Sequence, residues 1–210
     1  MIKKLIPYLF FLLLFGNAGA QSRDAQWLHA INTHTTPFWN SYSTLMSTST
    51  PYVSAGLPVL FLTAGYLANN ENLVSGGYYS LMSLAISTVF TIEMKYIVRR
   101  ERPYDKYPDC FDLRSGTEST PSFPSLHTSM AFSTATSLTL QWPKWYVAIP
   151  SYLWAGSVAY SRMNTGVHYP TDVIGGAIAG AGCAYLTYKL NKWLNRPLNT
   201  MSKNTLQWIY

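Results

Sequence analysis

Five apolar stretches, each 17–22 residues long, fill most of this chain beyond its first fifty residues. They cover residues 51–68, 77–98, 125–141, 145–161 and 171–190. About 20 residues of helix cross the hydrocarbon core of a bilayer. Backbone at that depth must satisfy its own hydrogen bonds, so such stretches fold as helices. Polar breakers divide them: Asn69-Asn70, Ser75-Gly76-Gly77, the loop 103–124, Pro143, and residues 166–170. The pattern predicts an all-α fold, a polytopic membrane helix bundle.

Composition agrees. Charged residues are 11% of the chain, against roughly 25% in ordinary soluble domains. Aromatic residues reach 15%, as expected where Trp and Tyr sit at membrane interfaces. Mean hydropathy is only +0.03, because Ser, Thr, Gly and Tyr dilute the aliphatics. That value alone leaves a soluble helical protein open. The net charge of +6 comes without a basic stripe interleaved with exposed aromatics, so nucleic acid is not an expected partner.

The first residues resemble a secretory signal. Lys3 and Lys4 precede an apolar run over 5–15, and Ala18-Gly19-Ala20 follows as a small-residue cleavage site. Residues 1–20 are therefore expected to be a signal peptide, with an uncleaved anchor as the alternative. That gives about five spans after a signal, or six with an anchor. Residues 21–198 form one helical-bundle domain and 199–210 a tail. Residues 24–34 carry Trp27, Leu28 and Ile31 at helical spacing, which predicts an amphipathic helix on the membrane surface or on the bundle. Cys110 lies in a polar loop and Cys183 in an apolar helix, so no disulfide is expected.

Two apolar stretches carry packing signals. Residues 125–141 are rich in Ser and Thr, so they should face other helices and not lipid. Gly176, Gly180 and Ala184 share one face, which lets a neighbouring helix approach closely.

Polar residues gather at three helix ends. Lys95, Arg99 and Arg102 recur at helical spacing, placing cations on nearly one face, and Pro103 ends that helix. A positive flank on a membrane helix would look the same. Pro124-Ser125-Leu126-His127 opens the next apolar stretch. Free backbone N–H groups at a helix start favour an anion. His127, in that first turn, can act as a general acid. An ordinary Ser cap is the plainer reading. The third segment holds Arg162, His168 and Asp172. A carboxylate one turn beyond an imidazole can fix its tautomer, and a nearby guanidinium can hold an anion. A capping Asp beside a surface His is the alternative.

Topology joins the three. With residues 1–4 in the cytoplasm and spans alternating, all three segments fall on the extracytoplasmic face. Lys144, Lys189, Lys192, Arg196 and Lys203 then fall inside, consistent with the positive-inside rule.

Lys95-x6-Arg102-Pro103, Pro124-Ser125-Leu126-His127 and Ser161-Arg162-x5-His168-x3-Asp172 together resemble the three-part signature of the type 2 phosphatidic acid phosphatase superfamily. That group includes lipid phosphate phosphatases, soluble bacterial acid phosphatases and vanadium haloperoxidases. The resemblance implies that Lys95, Arg102 and Arg162 hold phosphate oxygens. Ser125 and the Leu126 and His127 amides would complete the cradle. His168 would attack phosphorus, Asp172 would orient it, and His127 would protonate the leaving oxygen. Leu126 departs from the pattern, since the family usually has Gly there. No metal or other cofactor is expected. The implied substrate is a lipid phosphate or pyrophosphate at the bilayer, the location a bacterial inner membrane with the site facing the periplasm. No obligatory protein partner is inferred. A soluble periplasmic acid phosphatase is the main alternative, followed by a haloperoxidase and a lipid-binding protein.

Overall fold

The structure is a computed structural model and describes residues 18–194. In chain order its helices are α1 (Ala18–Thr33), α2 (Pro37–Leu67), α3 (Glu71–Val98), the single turn α4 (Pro103–Lys106), α5 (Leu126–Gln141), α6 (Trp145–Asn164) and α7 (Pro170–Leu194). Among the described residues there is no strand.

The Ser/Thr-rich stretch becomes the central helix, as its composition predicts. α5 packs against α2, α3, α6 and α7. Ser129, Ser133 and Ser137 on α5 are fully buried, beside a small apolar cluster of Ala131, Ala135, Ala155 and Val158. Large apolar side chains point outward instead, among them Leu60 and Leu67 on α2, Val89 and Ile97 on α3, and Leu186 on α7. Small hydroxyl residues inside and bulky aliphatics outside suit a lipid surround, where helices associate by close packing and not by hiding apolar area.

The glycine face on α7 is what brings it against α5. A Cβ on Gly176 would lie 2.5 Å from the Ser125 carbonyl oxygen, and one on Gly180 would lie 2.0 Å from that of Ser129. Farther along, the Tyr79 hydroxyl of α3 donates to the Ala184 carbonyl at 2.7 Å.

Two expected boundaries are corrected. α2 starts at Pro37, not at 51. Thr36 caps it by accepting from the Trp39 N–H, and it runs on through Pro51 and Pro58. Its polar first half stays helical because hydroxyls bond carbonyls one turn back, as Thr48 does to Thr44 and Thr50 to Met46. Likewise α3 runs straight through Ser75-Gly76-Gly77. These glycines serve close approach: a Cβ on Gly77 would lie 2.7 Å from Leu62, and one on Gly76 would lie 2.9 Å from Trp142. The real start is Asn70, whose side chain accepts from the Asn72 and Leu73 N–H groups.

Of the five expected spans, two helices are long and apolar enough to cross a membrane, one within Glu71–Lys106 and the other Pro170–Trp193. Hydroxyl-rich α5 has only 16 residues, a rise of about 24 Å. α1 covers the expected amphipathic stretch, burying Leu28 and exposing Trp27. It already begins at Ala18. The rest of the expected signal or anchor, and the tail 199–210, lie outside the described residues.

Candidate active site

The C-terminal ends of α3 and α6 and the N-terminal ends of α5 and α7 converge at one end of the bundle. Lys95 sits in the last turn of α3, buried, and its Nζ donates to the Pro121 carbonyl at 2.6 Å and the Ser122 carbonyl at 3.3 Å. The helix stops at Val98, because Arg99 takes the left-handed conformation (φ 52°). Arg102 thus reaches the site from extended backbone, not from the helical face that spacing suggested. Arg99 turns away, and its Nε donates to the Tyr96 carbonyl at an exposed position.

Arg102 is buried and heavily bonded. Its Nε donates to the Thr120 carbonyl at 2.8 Å and Nη1 to the Val167 carbonyl at 3.0 Å. The same Nη1 lies 3.5 Å from His168 Nε2. Nη2 pairs with Glu118 Oε2 at 2.6 Å. The other oxygen of Glu118 pairs with Arg162 Nη2. Arg162, in the last turn of α6, also donates to the Ser47 hydroxyl on α2. Its Nε is buried with no hydrogen-bond partner.

His168 lies in the turn before α7 and is 1% exposed. Its Nδ1 is 3.5 Å from Asp172 Oδ2. That oxygen also accepts from the Tyr169 N–H at 2.9 Å and from the Ser122 hydroxyl. Burial, then the charges of Arg162, Arg102 and Lys95, holds the His168 pKa well below its ordinary value. The imidazole is therefore neutral at physiological pH, with one ring nitrogen unprotonated. Burial works against an ionised Glu118, but Arg162 and Arg102 outweigh it and hold that carboxyl at about 2.

Ser125 caps α5 and is fully buried. Its N–H donates to the Asp172 carbonyl at 3.0 Å, tying the start of α5 to that of α7. Leu126 and His127 follow in the first turn, where backbone amides are not used within the helix. His127 is close enough to bear on the charge of Glu118. All eight expected site residues thus gather at one end of the bundle. Among the described residues no three His, Cys, Asp or Glu side chains form a group able to hold a metal. The cluster of cations is suited to an anion.

Several members were not assigned roles from the sequence. Ser122 lies two residues before the Pro124–His127 motif, and only its contact with Asp172 reveals its part. Glu118 lies in the loop 103–124, where nothing in the sequence sets it apart from the other polar residues. Arg100 bonds Asp172 Oδ1 at 2.6 Å, although Arg99 had the better helical spacing.

Residues 76–196 match the PAP2 superfamily, and this span encloses every residue of the cluster. The chain belongs to that superfamily. Among its PAP2 relatives is the lipid A 4'-phosphatase of Bacteroides thetaiotaomicron, 28% identical over 79% of this chain and 75% of the relative. The undecaprenyl-diphosphatase of Sulfolobus acidocaldarius is 31% identical over 54% of each. In fold, the chain is similar to a transmembrane PAP2 type phosphatidylglycerolphosphate phosphatase from Bacillus subtilis, with a TM-score of 0.74 and 24% identity. That likeness covers 93% of this chain and 99% of the other. PAP2 membership, with phosphatases as relatives, makes this chain a phosphate ester hydrolase.

Proposed function

We propose that this PAP2 protein hydrolyses a lipid phosphate or diphosphate at the periplasmic face of a bacterial inner membrane, without a metal, through a phosphohistidine. One observation carries the reading. A buried neutral imidazole presents Nε2 toward Arg102 while Nδ1 faces Asp172.

The residues divide the work as follows. Lys95, Arg102 and Arg162 neutralise the phosphoryl oxygens, and Arg162 Nε offers a further donor. Ser125 and the first amides of α5 add N–H and hydroxyl donors. Such preorganised charge stabilises a nearly in-line displacement. His168 Nε2 attacks phosphorus as the ester P–O bond breaks. The charge of a bound phosphate favours a protonated His127, which gives its proton to the departing oxygen and then takes one from the water that cleaves the P–N bond. Asp172 holds the Nδ1 proton and stabilises the charge on the ring. Three clustered cations would repel a metal ion, so the chemistry relies on protein charge alone.

The lipid assignment is supported by the outward aliphatics of α2, α3 and α7, and by relatives named for lipid A and undecaprenyl diphosphate. α2 and α6 share that exposed apolar surface, and α5, packed among the other four, completes five spans. The test is phosphate release by the detergent-purified chain in EDTA. The substrates are lipid A, undecaprenyl diphosphate, phosphatidate, phosphatidylglycerol phosphate and p-nitrophenyl phosphate. One lipid should be turned over far faster than the soluble ester, and His168→Ala should be inactive while folded. A dependence on added metal, or a folded His168→Ala that still turns over, would overturn the mechanism. Preference for the soluble ester would favour an acid phosphatase.

A further inference from the structure

Behind Asp172 lies a second charged group that the catalytic scheme does not use. Asp24, on α1, is 3% exposed. Its Oδ2 pairs with Arg100 Nη2 at 2.6 Å. Its Oδ1 accepts from the Thr171 N–H at 3.1 Å, and Oδ2 from the Thr171 hydroxyl. Arg100 in turn donates from Nη1 to Asp172 Oδ1 at 2.6 Å and to Thr171 Oγ1 at 2.7 Å. Its guanidinium lies over Tyr169, 4.0 Å from the ring centroid.

We propose that Asp24 and Arg100 are positioning residues for His168, so that helix α1 is part of the catalytic apparatus. The proposal rests on His168 being the nucleophile. Asp172 is held from both sides: Arg100 takes Oδ1, while Ser122, the Tyr169 N–H and His168 meet Oδ2. A carboxylate pinned at both oxygens cannot rotate, and it fixes the imidazole opposite it. Without Asp24, the Arg100 guanidinium would lose its second carboxylate anchor and could swing from this pose.

Charge balance points the same way. Arg100 alone would largely cancel the charge of Asp172 and weaken its hold on the cationic ring formed during attack. Asp24 shares that guanidinium, so the group of two carboxylates and one cation stays net negative. His168 otherwise faces Lys95 from α3, Arg102 and Glu118 from the loop, and Arg162 from α6. Among these only Glu118 opposes the cations. Asp24 supplies negative charge from the other side. α1 is anchored at its far end as well. Asn32 donates to the carbonyls of Asp112 and Asn164, each at 3.0 Å.

The test uses the full chain in detergent, with Asp24→Asn, Asp24→Glu and Arg100→Lys assayed on p-nitrophenyl phosphate and on the fastest lipid of the panel. Asp24→Asn should lower kcat by about ten- to a hundredfold, the scale of a small misplacement of a reacting group, with KM changed far less. Loss of a negative charge should move the acid limb of kcat/KM to lower pH by about half a unit. Asp24→Glu should restore most of kcat. An Asp24→Asn protein with unchanged kcat and pH profile overturns the proposal, even if it melts earlier. Should that variant not fold, Arg100→Lys keeps the positive charge but cannot bridge both carboxylates, and a comparable kcat loss is expected; an unchanged kcat there overturns the proposal. If His168→Ala stays active, the nucleophile assignment fails. If it is dead while Asp24→Asn is unaffected, only the positioning role fails.

Discussion

Glu118 bridges Arg102 and Arg162, the two guanidinium groups assigned to the phosphate. An incoming phosphate must replace that carboxylate, so part of the cationic attraction is already used. Glu118→Gln should therefore bind inorganic phosphate more tightly, lowering its inhibition constant by about tenfold, or ~1.4 kcal/mol. The sign with pH follows from the depressed pKa. A carboxyl held at about 2 remains ionised from pH 5 to 8, so the ratio of wild-type to variant constants should be flat across that range. A ratio that collapses toward pH 5 would mean that Glu118 titrates there and that its arginine pairs are weaker than the geometry indicates. At this scale the sequence was informative where chemistry repeats a motif. Lys95, Arg102, Ser125, Arg162, His168 and Asp172 could be read from types and spacing. Arg100, Ser122 and Asp24 could not, because their roles arise from contacts across 72, 50 and 147 residues. Helical spacing even favoured Arg99, since nothing local announced the left-handed turn there.

Among the elements, the α5–α7 contact sets where Ser125 and His168 stand. The Ser129 carbonyl occupies the place a side chain on Gly180 would need. Gly180→Ala must push the helices apart, which costs about 2–3 kcal/mol and lowers the melting temperature by roughly 5–10 °C for a chain of this size. Gly182 on the same helix is different, because a methyl group placed there would meet nothing within 4 Å. Ala at that position should be neutral or slightly stabilising, because it loses less backbone freedom than Gly. Equal melting temperatures in detergent for the two variants would contradict the close approach. This contact was legible, since three small residues at four-residue spacing have few other uses in an apolar helix. The neighbouring Gly76-Gly77 pair carried the same meaning but stood beside Ser75, in a context that also reads as a turn. Only the packing of Leu62 and Trp142 against it separates the two. The start of α2 was hidden for a related reason: Pro51 marks a helix start as readily as a helix interior whose hydroxyls satisfy the backbone.

For the whole molecule, the proposed orientation places the site on the periplasmic side. At the site end Lys95, Arg100, Arg102 and Arg162 are engaged by carbonyls or carboxylates. The opposite end carries exposed Lys144, Lys189 and Lys192, while Arg23, Arg99 and Lys106 are exposed at the site end. Exposed cations favour the cytoplasmic side, but with three at each end among the described residues it is labelling that decides the proposed orientation. Two native cysteines make this testable with the unaltered chain. Cys110 is exposed in the loop at the site end, where its carbonyl meets His29 of α1, and Cys183 is buried in α7. In cells with a permeabilised outer membrane and an intact inner membrane, a membrane-impermeant maleimide should label Cys110, and Cys110→Ser, as the control, should abolish the signal. Cys183 should react only after denaturation. Labelling of Cys110 that requires lysis of the inner membrane would put the site in the cytoplasm. It would then confine the substrate to lipid phosphates of the inner leaflet, with the hydrolytic chemistry of the cluster unaltered.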